Sequence, residues 1–499
     1  MTKEVNMLNL KKIGFCLLTA FVFLAICSKN SFIYPMNDWP DVNCFHTVGR
    51  SMIDGQVLYR DIYEQKGPIL YFVYALIAMF FDSFIGVFFL EIITGGAFLY
   101  VCSKIVKLYD VDDIHLLWIL PTMFFAITTS NAFFHGGSVE EMVFPCIAFV
   151  LYSFLKLIKT GELSKKHAVI NGLCVGLIFW IKYSMLGATI GAYIFIMFFL
   201  LFKKKMAQLA YLALYTFIGF AVVNVPVVIY CAVTNSFADM WEAYFYNNIF
   251  LYGQGTDVTL KTKLVLIILN TLETVILNLR YSVLVIFGVL FFFIRGIVKR
   301  SADEIMQTLL LMFSGAFWCV LTFFGGLSFD YYGLTLCVFS VFGYVAIAKC
   351  LTCVIKIGLN KKMAALCCAS LFVILPILSW FLSPNTYLAK YSKEEMPQYV
   401  FAEIINLVPD ATILNYNFLD GGFYYAADVE VTERFFCMLW VDLEEKNSGL
   451  DSCIDEGRVD FVITRNKKLD SENYVEVKEM TFELENTLFV YRLYKKTEV

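Results

Sequence analysis

Charge is scarce in this 499-residue sequence. Asp, Glu, Lys and Arg together make up 16% of it, against about a quarter in soluble globular proteins. With 59% hydrophobic and 17% aromatic residues and a mean hydropathy of +0.69, the chain carries more apolar surface than one water-facing core hides. It also lacks an excess of positive charge: the formal net charge is −4, which excludes a general nucleic-acid binder. Histidine is limited to four residues, His46, His115, His135 and His167, and neither these nor the 15 cysteines fall at metal-binding spacings. A small-residue cleavage site is missing after the first apolar run, 13–27. Ser28-Lys29-Asn30 and bulky residues follow it, so the run reads as a retained first helix rather than a signal peptide.

What the sequence does have is apolar runs of spanning length. A transmembrane helix needs about 20 mostly apolar residues, and helices satisfy their backbone polar groups within the segment. Such runs lie near 13–32, 84–106, 114–130, 141–159, 167–181, 186–202, 208–232, 281–298, 305–324, 333–353 and 363–382. They predict a polytopic all-α membrane bundle of about eleven transmembrane helices. Lys and Arg collect around Lys3/Lys11/Lys12, Lys104/Lys107, Lys156/Lys159/Lys165/Lys166, Lys203-Lys204-Lys205, Arg295/Lys299/Arg300 and Lys349/Lys356/Lys361/Lys362. Cytoplasmic loops are enriched in these residues, and putting every cluster inside gives a cytoplasmic N-terminus and an outer C-terminus. The run 69–81, about 13 residues, is too short to cross and reads as an interfacial or re-entrant helix. The run 264–279, interrupted by Asn270 and Glu273, is expected to behave likewise.

This topology puts segments 34–68, 130–141 and 236–263 outside, the last ending in a Gly/Thr/Asp-rich stretch. Residues 1–383 then form the membrane domain and 384–499 a small extracytoplasmic α/β domain, because charge rises sharply beyond Ser383-Pro384. Strand-like runs there are 412–415, 461–464 and 487–493, and 385–408 reads partly as an amphipathic helix. Most cysteines sit inside apolar runs as small hydrophobes. Cys44, Cys437 and Cys453 fall in outer segments, which makes a Cys437–Cys453 disulfide a candidate.

The first outer loop reads Asn37-Asp38-Trp39-Pro40-Asp41-Val42-Asn43-Cys44-Phe45, then Gly49-Arg50, Gly55, Tyr59-Arg60-Asp61 and Glu64-Gln65-Lys66-Gly67-Pro68. A carboxylate there can act as general base toward a hydroxyl, and Lys or Arg can hold a phosphate. A solvated loop whose charges merely stay wet accounts for the same composition. From Asp41 to Pro68, however, the segment resembles the first outer loop of the GT-C superfamily of membrane glycosyltransferases, which includes protein O-mannosyltransferases and the aminoarabinose transferase of lipid A. The shared pattern is an Asp, an aromatic four positions on, a Gly-containing helix, then Tyr-Arg-Asp and Lys-Gly-Pro. The resemblance implies a GT-C-like fold and a sugar taken from a polyprenyl phosphate on the outer face.

Carried over position by position, Asp41 takes the place of the catalytic carboxylate, with Asp38 as fallback. Lys66 takes that of the lysine on the donor phosphate, and Glu64 that of the acid preceding it. Arg60 and Arg50 are further candidates for the phosphate, and Asp61 for substrate. At His135-Gly136-Gly137-Ser138-Val139-Glu140-Glu141 the resemblance implies a second acid, either Glu140 or Glu141. An acid entering a span is costly and so a functional candidate, although a carboxylate at a helix start also suits the dipole. In Gly325-Gly326-Leu327-Ser328-Phe329-Asp330-Tyr331-Tyr332, Asp330 stands where many relatives have His. Asp330, Tyr331 and Tyr332 are candidate substrate contacts, and the tyrosines equally suit an interfacial aromatic belt. Lys182 and Arg280, near outer helix ends, either help neutralise phosphate or snorkel to the headgroups.

The expected activity is inverting glycosyl transfer from a polyprenyl-phosphate sugar to a glycan, lipid or protein acceptor. No metal or other cofactor is required, although some relatives use a divalent ion, and no nucleic acid is involved. The cell-envelope character of the resemblance and the lack of organelle signals point to a bacterial plasma membrane. The alternatives are a transporter or flippase of lipid-linked glycans, which favours charged or broken helices at mid-membrane, and a polymerase joining lipid-linked oligosaccharides.

Overall fold

The computed structural model describes residues 2–162, 164–252, 259–354, 360–484 and 487–497. In chain order its helices are α1 Thr2–Cys27, α2 Pro40–Ile53, α3 Pro68–Ala78, α4 Ile85–Leu108, α5 Leu116–Thr128, α6 Val139–Thr160, α7 Lys165–Lys182, α8 Gly187–Phe202, α9 Met206–Thr234 and α10 Phe237–Met240. Then come α11 Leu260–Leu277, α12 Leu279–Lys299, α13 Ala302–Phe323, α14 Ser340–Lys349, α15 Lys361–Leu382, α16 Pro397–Ile405, α17 Phe423–Ala427 and α18 Glu444–Asp455. The four strands are β1 Ile413–Tyr416, which lies between α16 and α17, and β2 Phe461–Arg465, β3 Tyr474–Leu484 and β4 Thr487–Lys496 after α18.

Among the described residues, nine helical stretches are long and apolar enough to cross a membrane, and one of them, Lys165–Phe202, is α7 and α8 together. With the shorter apolar stretch Asp113–Thr128, these are the eleven segments the hydropathy predicts. The helix in the run 69–81 is α3, 11 residues long, well under spanning length. The run 264–279 is also outside the spanning set, as expected, although its helix is longer than that of 69–81. It lies in α11, an 18-residue helix that begins at Leu260 and carries Lys261, Lys263 and Glu273, and these charges keep it out of the apolar set. The Gly/Thr/Asp-rich end of segment 236–263 lies outside the described residues.

The chain forms two compact units. The first comprises residues 1–31, 88–226 and 258–386 and holds most of the long apolar helices. Lipid is as apolar as the side chains, so helix association there relies on close packing and polar pairs rather than on expelling water. Gly172 of α7 and Gly219 of α9 supply the close packing. A Cβ on Gly172 would lie 2.0 Å from the Thr216 carbonyl oxygen, and one on Gly219 2.0 Å from that of Val169. Polar pairs flank the crossing: Asn171 donates to Ser153 Oγ at 3.0 Å, and Trp180 Nε1 to Asn224 Oδ1 at 2.9 Å.

The second unit comprises 32–87, 227–257 and 387–499. Its sheet has the order β1-β2-β4-β3, with β1 parallel to β2 and the other pairs antiparallel. Ile413 pairs with Phe461 and Ile463 with Leu493. α18 makes the connection that a parallel pair requires. β1 and β2 are buried along nearly their whole length, as their apolar runs predict. β3 was not predicted; Val475 to Glu479 are all exposed, and that charged stretch reads as loop. The amphipathic segment 385–408 is helical in its second half, α16, after two short 3₁₀ turns at Thr386–Lys390 and Lys393–Glu395.

The glycine crossing is testable. Gly172→Val or Gly219→Val forces a branched side chain against backbone, and overpacking of this kind costs roughly 1–3 kcal/mol or more. Each variant is expected to unfold at lower temperature than the parent in detergent, read by thermal shift or by protease resistance.

Candidate functional site

Two groups of charged side chains stand out, one in each unit. In the second unit the loop 34–68 carries the first. Pro40 opens α2, because its missing N–H is an orphan at a helix start anyway. Asn37 Oδ1 accepts from Trp39 N at 2.9 Å, and Asn43 donates to the carbonyls of Asn37 and Trp39 at 3.1 and 2.9 Å. These bonds fix the entry to α2 and put Asp41 in its first turn. Asp38 is engaged elsewhere, its carboxylate accepting from Tyr387 Oη at 2.6 Å.

Lys66 is brought to the same place by a tight loop. Tyr59, held at φ +71°, donates through Oη to the Lys66 carbonyl at 2.6 Å, and Lys66 N donates to Glu64 Oε2 at 2.9 Å. Lys66 Nζ lies 3.6 Å from Glu64 Oε1 and 5.6 Å from the centre of the Phe45 ring, one helical turn beyond Asp41. Glu64 is 3% exposed. Burial pushes its carboxyl above the usual range, the Lys66 ammonium pulls it back, and the nearby Asp41 carboxylate adds to the upward push. Asp41, Glu64 and Lys66 therefore share one neighbourhood. The loop is braced by Asn247 of the π-helical segment Trp241–Leu251, which donates to Tyr63 Oη at 2.9 Å, and by Asn248, which donates to the Gln65 carbonyl at 2.7 Å.

The other loop candidates have ion-pair or hydrogen-bond partners of their own. Arg50 ends α2, nine residues after Asp41 and so about 13 Å along the axis, and pairs with Asp428. Arg60 pairs with Asp61 at 3.2 Å and donates to the Thr234 carbonyl at 2.9 Å, while Asp61 also accepts from Val57 N at 2.8 Å. These exposed contacts hold the shape of the loop. The turn Asp420-Gly421-Gly422 is a structural clamp: fully buried Asp420 accepts from Thr47 Oγ1 at 2.6 Å, Gly422 N at 2.8 Å and Asn415 Nδ2 at 3.2 Å. A Cβ on Gly422, at φ +85°, would lie 2.4 Å from Met36. The Cys437–Cys453 disulfide is not formed. Both thiols are free, and Cys437 Sγ lies 3.9 Å from Cys44 Sγ.

The first unit carries the second group. Ser138 caps α6 in a capping box, with Glu141 accepting from Ser138 N at 2.9 Å. Glu141 lies beside Glu91 of α4. Glu91 in turn accepts from Ser28 Oγ at 2.7 and 2.9 Å, Asn30 Nδ2 at 3.1 Å and Gly137 N at 2.8 Å. Glu140, one residue earlier than Glu141 and 0% exposed, accepts from Lys182 Nζ at 2.7 Å. The same ammonium lies 4.0 Å from the Tyr332 ring centre and 5.3 Å from that of Tyr331. Asp330 is exposed. Glu140, Lys182, Tyr331 and Tyr332 are thus grouped, while Glu141 belongs to the scaffold with Glu91. Sequence reasoning missed Glu91 and the fully buried Lys29, whose ammonium faces the Phe134 ring at 5.2 Å. The available signal was a lone acid inside an apolar span. Among the described residues no three His, Cys, Asp or Glu side chains are grouped so as to hold a metal ion.

Together these elements define a polytopic α-helical membrane fold with a charged loop after the first helix and a small α/β domain at the C-terminal end. That fold is shared with two crystal structures of ArnT from Cupriavidus metallidurans. The one bound to undecaprenyl phosphate matches with a TM-score of 0.58 and 11% identity over 97% of this chain and 97% of that one. The apo structure matches with a TM-score of 0.52 and 10% identity over 98% of each. No family model and no curated protein matches the sequence.

Asp420 makes the second unit sensitive to pH. Burial raises its carboxyl to about 6 from the ordinary 3.8. The folded state therefore holds this proton more tightly, so the stability it contributes is full below about pH 4 and lost as pH rises through about 6, on the order of 2–3 kcal/mol. Buried His46, lowered to about 4 from 6.5, acts in the opposite sense over pH 4 to 6.5. The readout is accordingly a difference: unfolding midpoints of the parent minus those of Asp420→Asn should fall between pH 4 and 7, because the variant cannot titrate there.

Proposed function

We propose that this chain is an inverting glycosyltransferase that moves a sugar from a polyprenyl-phosphate donor to a cell-envelope acceptor on the outer face of a plasma membrane. The observation that carries the reading is the gathering of Asp41 and Lys66 around Glu64 in a fold shared with ArnT, which has been crystallised with undecaprenyl phosphate. In this reading the N-terminus is cytoplasmic and the second unit lies outside.

Asp41 accepts the proton of the acceptor hydroxyl. The freed oxygen attacks C1 of the sugar from the face opposite the phosphate, the C1–O bond to phosphate breaks, and polyprenyl phosphate leaves with the bonding pair. Lys66 stabilises the charge that develops on that phosphate. Glu64 keeps the Lys66 ammonium in place through its side chain and its accepted backbone N–H, so little reorganisation is needed when the charge appears. Of the two adjacent acids, Glu140 is the one that acts on substrate. Glu141 is committed to the capping box and to Glu91, whereas Glu140 Oε2 has no hydrogen-bond partner among the described residues although it is buried. Lys182, Tyr331 and Tyr332 hold Glu140 and contribute to substrate binding.

Reconstituted protein supplied with a radiolabelled polyprenyl-phosphate sugar tests the reading. Release of sugar to acceptor or water is expected; movement of intact lipid between leaflets without release would mark a flippase. Asp41→Asn should lower kcat by about 10²–10⁴ and Lys66→Met by about 10²–10³, both in folded protein. Glu140→Gln should lower turnover more than Glu141→Gln, which should act mainly on thermal stability. Chelation with EDTA should leave turnover unchanged.

A further inference from the structure

Two cysteines of the second unit face each other across 393 residues of sequence: Cys44 Sγ and Cys437 Sγ are 3.9 Å apart. They are 2% and 0% exposed, so each thiol has the other as neighbour and little access to water. Their backbones are tied together on both sides. Thr47 of α2 bonds Asp420 at 2.6 Å, Met438 N donates to the Phe418 carbonyl at 2.9 Å, and Tyr63 N donates to the Arg434 carbonyl at 2.9 Å. A disulfide requires the sulfurs to close to about 2.05 Å. The shortfall is under 2 Å. Cys453, which lies closer to Cys437 in sequence, is not the thiol it meets.

We propose that Cys44 and Cys437 form a structural disulfide in the mature protein, joining the helix that carries Asp41 to the C-terminal segment. The inference rests on the outer placement of this unit, where disulfides persist. The reaction is exchange with a protein disulfide of that compartment. One thiolate attacks a sulfur of the donor disulfide to give a mixed disulfide, and the second thiolate displaces the donor. Two protons leave the cysteines and the donor ends as two thiols. Burial pushes both thiols above the usual range, and since the thiolate is the reactive form, the bond closes while the unit folds rather than after it is sealed. Once closed, the bond tethers residues almost 400 positions apart, and long loops gain most from cross-linking. Cys44 lies three residues beyond Asp41, on the next turn of α2, so the bond also fixes the axial position of the candidate base.

The test uses full-length protein purified from membranes after trapping thiols with an alkylating reagent in denaturant. Non-reducing peptide mass spectrometry is expected to find the Cys44 and Cys437 peptides linked in most molecules. Reductant should then lower the unfolding temperature of the parent by several degrees and leave that of Cys44→Ala unchanged. Both cysteines recovered alkylated would overturn the proposal. A parallel variant, Glu472→Cys, separates the two ways this can happen, because Glu472 is exposed on the same unit. If a membrane-impermeant maleimide labels Glu472→Cys in intact cells while Cys44 and Cys437 are reduced, the pairing is wrong and the transferase reading stands. If the label enters only after the cells are opened, the unit is cytoplasmic, and both the disulfide and the outer-face transferase fall.

Discussion

A charge held out of water survives only where a counter-charge or a set of dipoles meets it, and this constraint organises both units. Taking a carboxylate or ammonium from water into a protein interior costs several kcal/mol even after relaxation. Glu140 is buried completely and meets Lys182 from 42 residues away. Glu91 meets donors from Ser28, Asn30 and Gly137. Asp420 meets Thr47 across 373 residues. Removing one partner of such a set strands the other, at a penalty of about 3–5 kcal/mol for a buried ion pair. The sets therefore act as long-range locks in a chain whose apolar contacts are mostly interchangeable with lipid.

The two lysine–glutamate pairs differ in a way that bears on chemistry. Lys182 and Glu140 touch at 2.7 Å, a charge-assisted hydrogen bond. Lys66 and Glu64 stand 3.6 Å apart, beyond hydrogen-bond range, so their attraction is coulombic and weakly directional. Glu64 is itself strained by burial and by the nearby Asp41, so any charge that draws Lys66 away leaves two acids facing each other with less compensation. Asp41, Glu64 and Lys66 are for this reason best regarded as one coupled unit, in which the state of each group depends on the other two.

How much of this was legible in the sequence follows from the range of each interaction. The spanning helices were readable because the bilayer thickness demands about 20 apolar residues in a row, a purely local requirement. β1, β2 and β4 were readable from runs such as Phe461 to Thr464, whereas β3 hid behind Glu476, Lys478 and Glu479. The proximity of Asp41 and Lys66 was legible only through the loop pattern, because the Tyr59, Asn247 and Asn248 contacts that create it come from separate stretches. The pairing of Arg50 with Asp428 was not legible, because the two are 378 positions apart. The candidate Cys437–Cys453 disulfide failed for the same reason: all three outer cysteines were visible in the sequence, but not that the fold brings Cys44 to Cys437.

The different surroundings of Glu140 and Glu141 follow from a local rule. Successive residues on a helix point about 100° apart, so two neighbouring acids at a helix start cannot share one environment. Ser138-Val139-Glu140-Glu141 carries the spacing of a capping box, Ser at the cap and Glu three positions on. That pattern commits Glu141 to the backbone N–H of Ser138 and directs it toward Glu91. Glu140 is then turned to another face of α6, where Lys182 and the tyrosines lie. The cap that starts the helix thereby fixes which of the two carboxylates is tied to the backbone and which meets the Lys182 ammonium.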